Sequence, residues 1–264
     1  MPAIDFNRRF FPLTAHPFDR EDCREVPPCA ALRPYVRCFW GPVAQKYGLV
    51  VPDACADIII QPQETGLRMD FCPVDNAPFY AHSDMRDMFA VRFYFWALPY
   101  FQISGGFDEE SFPDLREYLL REGFLEKGFA QRQVLMEQYL LRRLGTTVQG
   151  CLLDGIDLML QSHGRLQVGD VAAHMAVSTR TMERLFRRSM GLAPKEAAGV
   201  IRYQTLWQRS LTPHFDLMKQ VEALGYFDQA HLLNDFRKYH SLPLAEAVKR
   251  AKSVAFLQDG SEGM

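Results

Sequence analysis

Apolar positions recur at helical spacing through Val168, Val171, Ala172 and Met175. After a compact break at Ala176-Val177 the spacing resumes, with Met182, Leu185, Phe186 and Ser189 sharing one face. The pattern predicts two short helices joined by a tight turn. Ser178 stands where the second helix begins, and its hydroxyl can accept an otherwise unpaired amide of the first turn. Thr179, Arg180, Glu183, Arg184, Arg187 and Arg188 cover the rest of that helix. A short arginine-rich helix held against a buried partner suits reading of a DNA major groove. Taken alone, the same pattern also fits an amphipathic surface helix with a solvated charged face.

The flanking residues extend the theme. Residues 151–162 predict a preceding helix with Leu152, Ile156 and Leu160 on one face. Gly191 is placed to take a positive φ, and Pro194 to start the next helix. That helix, 195–211, is long and turns Ala198, Ile201, Leu206 and Trp207 inward. A short helix at 217–224, a Gly225-Tyr226-Phe227 turn and a second candidate reader at 228–239 follow. Superposing Phe186 on Phe236 aligns Arg187-Arg188 with Arg237-Lys238, and Gly191 with Ser241. Two helix-turn-helix units on one long helix would place both readers on one side of a duplex.

Before residue 114 the pattern is different. Proline and aromatics in 1–22 predict an irregular arm wrapping a surface. Residues 32–40 begin as a short helix and end as a strand. Ile58-Ile59-Ile60 reads as a buried strand ending in a Pro62 turn. Residues 88–98 read as the strongest strand, with Val91, Phe93 and Phe95 on one face and Arg92, Tyr94 and Trp96 on the other. From 114 the helical period returns, around Leu115, Tyr118, Leu119 and Phe124, then in a longer helix at 129–144. There Val134, Leu135, Gln138, Leu141 and Leu144 form a stripe that either covers the sheet or pairs two copies of the chain. The expected fold is therefore an α+β N-terminal domain, a small β-barrel or sandwich plus helices, followed by an all-α domain with two helix-turn-helix units joined by a long helix. The domains are placed at 1–147 and 148–257, with a flexible tail at 258–264 and the linker around Gly145-Thr146-Thr147 and Gly150.

Charge sharpens this division. The net charge of -2 is uninformative as a whole. Residues 164–252, however, carry about 14 Lys/Arg against 8 Asp/Glu, while those before them are acidic. A basic C-terminal third beside an acidic remainder suits a nucleic-acid module attached to a second domain. No apolar run is long enough to span a membrane and no signal-peptide core is evident, so the expected setting is cytoplasmic. The six cysteines, Cys23, Cys29, Cys38, Cys55, Cys72 and Cys151, lack CxxC spacing and read as core thiols, with a sensor formed by Cys23, Cys29 and Cys38 as the minority reading. His16 and His82 are far apart and form no metal motif. Nucleophile-elbow, phosphate-loop and dinucleotide fingerprints are lacking, so neither an enzyme nor a cofactor is expected. Trp40, Asp53, Asp57, Arg92, Tyr94 and Trp96 are the candidates for holding a small-molecule effector, each with a satisfied structural role as the rival reading.

Ser178-x-Arg180-x-Met182-x-Arg184-x-Phe186 followed by Gly191-x-x-Pro194 resembles the first helix-turn-helix of the AraC/XylS transcriptional regulators. Gly225-Tyr226-x-Asp228-Gln229-x-His231, with Asp235-Phe236, resembles their second. Val51-Pro52-Asp53-x-x-x-Asp57-Ile58-Ile59 and Val91-Arg92-Phe93 resemble a barrel-like N-terminal domain of some bacterial members, with Ala54 where glycine is usual. The resemblance implies a ligand-responsive transcription regulator that binds double-stranded DNA, with RNA polymerase as a partner and a homodimer as a further expectation. Carried over by position, it assigns base reading to Arg180, Glu183, Arg184, Gln229, Ala230, His231 and Asn234. Phosphate contacts fall to Thr179, Arg187, Lys195, Arg202, Arg237 and Lys238. Rival readings are a regulator without an effector, set by its level or a partner protein, and an N-terminal enzyme targeted to DNA. The second unit departs from the pattern: Ser241 replaces the helix-ending glycine, Pro243 falls one residue early and Leu244 holds the expected proline position. Gln220-Val221 also stand where an apolar residue and alanine are usual. Either Ser241 takes a left-handed turn, or the turn is remodelled and its hydroxyl caps the next helix.

Overall fold

The β-branched and aromatic runs pair into an antiparallel sheet in the computed structural model, which describes residues 6, 9–13, 24–41, 48–64, 66–81, 87–101, 107–145 and 150–253. Its strands are β1 (Arg24–Val26), β2 (Val36–Gly41), β4 (Cys55–Gln63), β5 (Gly66–Cys72) and β7 (Phe89–Tyr94), in the order β1-β2-β7-β4-β5. A separate pair joins β3 (Gly48–Val50) to β6 (Phe79–Ala81). Alternation sorts the side chains of the central strands. Ile58, Ile60, Val91 and Phe93 enter the main core, whereas Ala90 and Ile59 join Cys38, Trp40 and Met88 on the other face.

Two strand boundaries differ from expectation. Pro62 lies inside β4, opposite Leu67, and the hairpin closes at the Gln63–Gly66 pair. The β4–β7 ladder ends at Ile60–Phe89, so the missing proline N–H removes no bond on that side. The aromatic run 88–98 leaves the sheet after Tyr94, and Phe95–Phe101 winds as a 3-10 helix. Pro99 could not serve a continuing ladder, and Phe95 N instead donates to Ala54 O at 3.0 Å. Trp96 becomes a hub: its Nε1 donates to Pro34 O at 2.9 Å and its ring stacks on Tyr94, with Phe6 and Phe10 edge-on.

Helices α1 (Leu115–Arg121) and α2 (Phe129–Arg143) cover the sheet. The inward face of α2 is Arg132, Leu135, Met136, Tyr139 and Leu140, while Val134, Gln138 and Leu141 are exposed. A charged residue at an inward position displaced the expected stripe. The Arg132 guanidinium lies over the Phe124 ring, and its donors reach Phe124 O and Asp87.

The C-terminal region is helical: α3 (Gly150–Gln161), α4 (Val168–His174), α5 (Thr179–Met190), α6 (Pro194–Ser210), α7 (Leu217–Ala223), α8 (Gln229–His240) and α9 (Leu244–Ser253). The α4–α5 and α7–α8 pairs are the two helix-turn-helix units, and α6 joins them. Twelve of the seventeen residues of α6 are buried, on all sides of the helix. Such a helix needs partners all round, and α3, α5, α8 and the sheet domain supply them. Gly199 permits a close approach, because a Cβ there would stand 2.2 Å from the Tyr239 hydroxyl. Among the described residues no helix is long and apolar enough to cross a membrane.

The ends of the two readers superpose. Gly191 closes α5 at φ 72° and Ser241 closes α8 at φ 60°, each amide donating four residues back, to Arg187 O and Arg237 O. Pro243 precedes α9 without remodelling this turn, and Leu244 fills the position matching Pro194. A left-handed L-residue costs about 1–2 kcal/mol, part of which glycine returns through its greater unfolded-state freedom. Ser241→Gly should therefore stabilise the protein by about 0.5–1 kcal/mol in chemical denaturation. Gly191→Ala, with open space around the added carbon, should cost about 1–2 kcal/mol. Destabilisation by Ser241→Gly would show that the hydroxyl has a capping role.

Candidate nucleic-acid interface

Local rules build the first reader. Ser178 caps α5, its Oγ accepting from Thr181 N at 3.1 Å. Met182, Phe186 and Met190 are buried at four-residue spacing, and Leu185 and Ser189 are half-buried. The opposite face presents Arg180, Glu183, Arg184, Arg187 and Arg188, all exposed and sharing one open surface patch. Thr179 and Lys195 are exposed at the starts of α5 and α6. Four guanidiniums with one carboxylate make a face that donates to phosphates and base acceptors and accepts through Glu183 alone.

The second reader is capped by Asp228, whose carboxylate accepts from His231 N at 2.7 Å. Gln229, Ala230, His231 and Asn234 are exposed on its outer face, and Arg237 and Lys238 near its end. Arg202 is placed differently from the other phosphate candidates. Its Nη2 lies 3.5 Å from Asp235, its guanidinium rests over Tyr226, and Tyr226 OH donates to the same carboxylate at 2.8 Å. It ties α6 to α8. Gln220, out of pattern in α7, accepts from Arg209 Nη1 at 3.0 Å. His240 is buried between Trp207 and Phe236, with Nδ1 2.8 Å from Tyr203 OH. Burial pushes its pKa down to about 4, so the imidazole is neutral at physiological pH.

The six effector candidates mostly hold one another. Arg92 donates from Nε and Nη2 to Asp57 at 2.9 and 3.0 Å and lies 3.3 Å from Asp53. Trp40 Nε1 donates to Asp57 at 3.0 Å, and Tyr94 stacks on Trp96 with ring centres 4.4 Å apart. Burial raises the Asp53 carboxyl despite Arg92, and burial with Asp53 and Asp57 nearby pushes Asp75 up to about 6. Ala54, where the resembled pattern has glycine, takes φ 57°. Cys29, Cys38, Cys55, Cys72 and Cys151 are free thiols, and burial raises Cys38, Cys55 and Cys72 away from the thiolate form. Cys23, His16 and His82 lie outside the described residues.

Gln204 is the functional candidate that the sequence reading missed. It is fully buried on α6 and donates from Nε2 to Pro52 O at 2.7 Å and Leu13 O at 3.0 Å, while Oε1 accepts from Leu13 N at 2.8 Å. Around it, Gln208 donates to Phe11 O, Arg9 pairs with Asp157, and Asn76 donates to Glu196 at 2.9 Å. Glu196 also accepts from Ala193 N at the start of α6. The reader domain is thereby fastened to residues 9–13 and to the Pro52-Asp53 turn. The available signal was an amide at a position of α6 flanked by Tyr203 and Leu206-Trp207.

A family model described as a domain of unknown function, DUF6597, matches residues 24–103. No curated protein matches the chain. Among solved structures, the chain is similar to a transcriptional regulator with an AraC-type DNA-binding domain from Chromobacterium violaceum, with 21% identity, 38% of this chain and 90% of that one covered, and a TM-score of 0.34. It is also similar to ToxT from Vibrio cholerae O395 bound to (E)-4-(8-methylnaphthalen-1-yl)but-3-enoic acid, with 10% identity, 77% and 89% covered, and a TM-score of 0.40. Unsaturated-fatty-acid-bound ToxT from Vibrio cholerae strain SCE256 gives 10% identity, 80% and 88% covered, and a TM-score of 0.39.

Gln204→Leu keeps the volume and strands two carbonyls and one amide at a buried contact. Each unsatisfied group costs about 1–3 kcal/mol before relaxation, so the loss in denaturation should total about 2–4 kcal/mol. An unchanged midpoint would mean that the two domains do not hold this contact in solution.

Proposed function

We propose that this protein is a sequence-specific regulator of transcription, of the AraC/XylS type and without catalytic activity, in which residues 148–257 bind double-stranded DNA. The observation that carries this reading is the exposed α5 face, where Arg180, Glu183, Arg184, Arg187 and Arg188 converge on a capped helix whose opposite side is locked in the core. The repeat of that geometry in α8 supports it. In this reading Arg184 pairs with guanine, Glu183 accepts from cytosine, and Arg180, Gln229, His231 and Asn234 read neighbouring base edges. Thr179, Arg187, Lys195, Arg237 and Lys238 hold phosphates, and Arg202 serves the α6–α8 tie.

Control is assigned to residues 1–147. A small-molecule effector that disturbs the Asp53–Arg92–Asp57 cluster would move the Pro52-Asp53 turn, whose carbonyl holds Gln204. Ligand-dependent thermal stabilisation of the full chain separates this from a regulator governed by level or partner alone. The exposed Val134, Gln138 and Leu141 on α2 suit pairing of two copies, and RNA polymerase is the expected partner at a promoter.

Two measurements test the DNA reading. Affinity of the full chain for duplex DNA should fall steeply with salt, with a log–log slope of about -4 for contacts by Arg187, Lys195, Arg237 and Lys238. A flat salt response would overturn it. On a duplex selected from a random pool, Arg184→Ala should lose ~1–3 kcal/mol and relax preference at one base pair. Arg187→Ala should weaken selected and random duplexes alike. Equal losses on both duplexes for Arg184→Ala would remove Arg184 from the base-reading set.

A further inference from the structure

The two helix-turn-helix units match residue for residue through their turns except at one place. Val177 N donates to Ala172 O, and Tyr226 N to Val221 O, after left-handed residues at Ala176 and Gly225. Both caps, Ser178 and Asp228, accept from the amide three residues on. Between Val177 and Ser178 there is nothing. Between Tyr226 and Asp228 there is one additional residue, Phe227, which is 89% exposed.

That ring stands on a rigid base. Phe227 N donates to His231 Nδ1 at 3.4 Å, closing the first turn of α8 together with the Asp228 cap. Its neighbour Tyr226 is buried, bonded to Asp235 and edge-on to His231. The phenyl group is therefore presented at the tip of the second reader, beside Gln229, Ala230 and His231, which are exposed. A hydrophobic protein interface would surround such a ring with further apolar groups. Here its sequence neighbours on the reader are mainly hydrogen-bonding groups, with Arg237 and Lys238 further along the same helix. A duplex offers a matching surface: donors and acceptors on the base edges, phosphates alongside, and the thymine C5-methyl as the apolar feature of the major groove.

We propose that Phe227 is a specificity-determining residue, packing its ring on a thymine methyl at the start of the second reader's half-site. This rests on the DNA-binding reading above. It gives the second unit a base preference that the first, with half-buried Val177 in the turn, does not share.

The test uses the full chain and a duplex that it selects from a random-sequence pool, with each thymine replaced singly by deoxyuridine. For the wild type, one replacement should lower affinity about four-fold, the worth of one buried methyl group. Phe227→Ala should bind the parent duplex on the order of ten-fold more weakly, with an unchanged salt slope, because an apolar contact releases no counterion. It should also be indifferent to that deoxyuridine. Phe227→Leu should retain part of the methyl effect, and the melting temperature of each variant reports that it is folded. Parent-duplex affinity for Phe227→Ala equal to the wild type's, or deoxyuridine losses that persist in full in that variant, would overturn the proposal and leave the DNA reading standing. Failure of the wild type to enrich any duplex would overturn both.

Discussion

Burial of α6 on every side is the condition on which the rest of the molecule depends. A linker between two readers could have been a solvated strut with one apolar face. Instead its circumference is shared among the reader units and the sheet domain, and one apolar cluster runs from Phe6 to Ala251. Such a helix cannot rotate or shift without disturbing several interfaces, because close-packed interiors transmit displacement. The spacing between readers is therefore a property of the whole chain. Gln204 makes the contact directional: an apolar residue would tolerate sliding, whereas an amide with three backbone partners has one position that satisfies them.

Duplication explains the reader domain economically. Both units use the same devices: a side-chain oxygen to start the reader, a buried aromatic at its centre, and a left-handed residue to end it. Their differences are then informative. Ser241 accepts backbone strain that Gly191 avoids, and Phe227 is an added residue with no counterpart between Val177 and Ser178. The same conformational demand recurs in the sheet domain, where Ala54 at φ 57° sits beside the Pro52 carbonyl that grips Gln204.

What was legible in the sequence follows from the range of the forces involved. Ser178, Gly191 and Pro194 announce themselves because caps and turns are decided within four residues. The long aromatic run was read as one strand because residue preference cannot see Ala54 O, which takes the Phe95 amide out of the ladder. The α2 stripe left two readings open because periodicity cannot see the Phe124 ring and Asp87, which give Arg132 an inward place and leave Val134, Gln138 and Leu141 exposed. Gln204 was missed, and the tie of Arg202 to Asp235 and Tyr226 was not foreseen, because their partners lie on other elements. The charged face of α5 was legible because solvent-facing positions need no distant partner.

The hydrogen bonds of Leu13 to Gln204 span 191 residues of chain, and this has a consequence for biosynthesis. On a ribosome advancing at roughly 5–20 residues per second, the arm emerges about 10–40 seconds before the helix that receives it. Phe6 and Phe10 can settle on Trp96 sooner, since that partner is made midway. The backbone of residues 11–13 must wait for α6. Nascent chains thus pass through an interval in which the sheet is complete but its outer arm is only half docked.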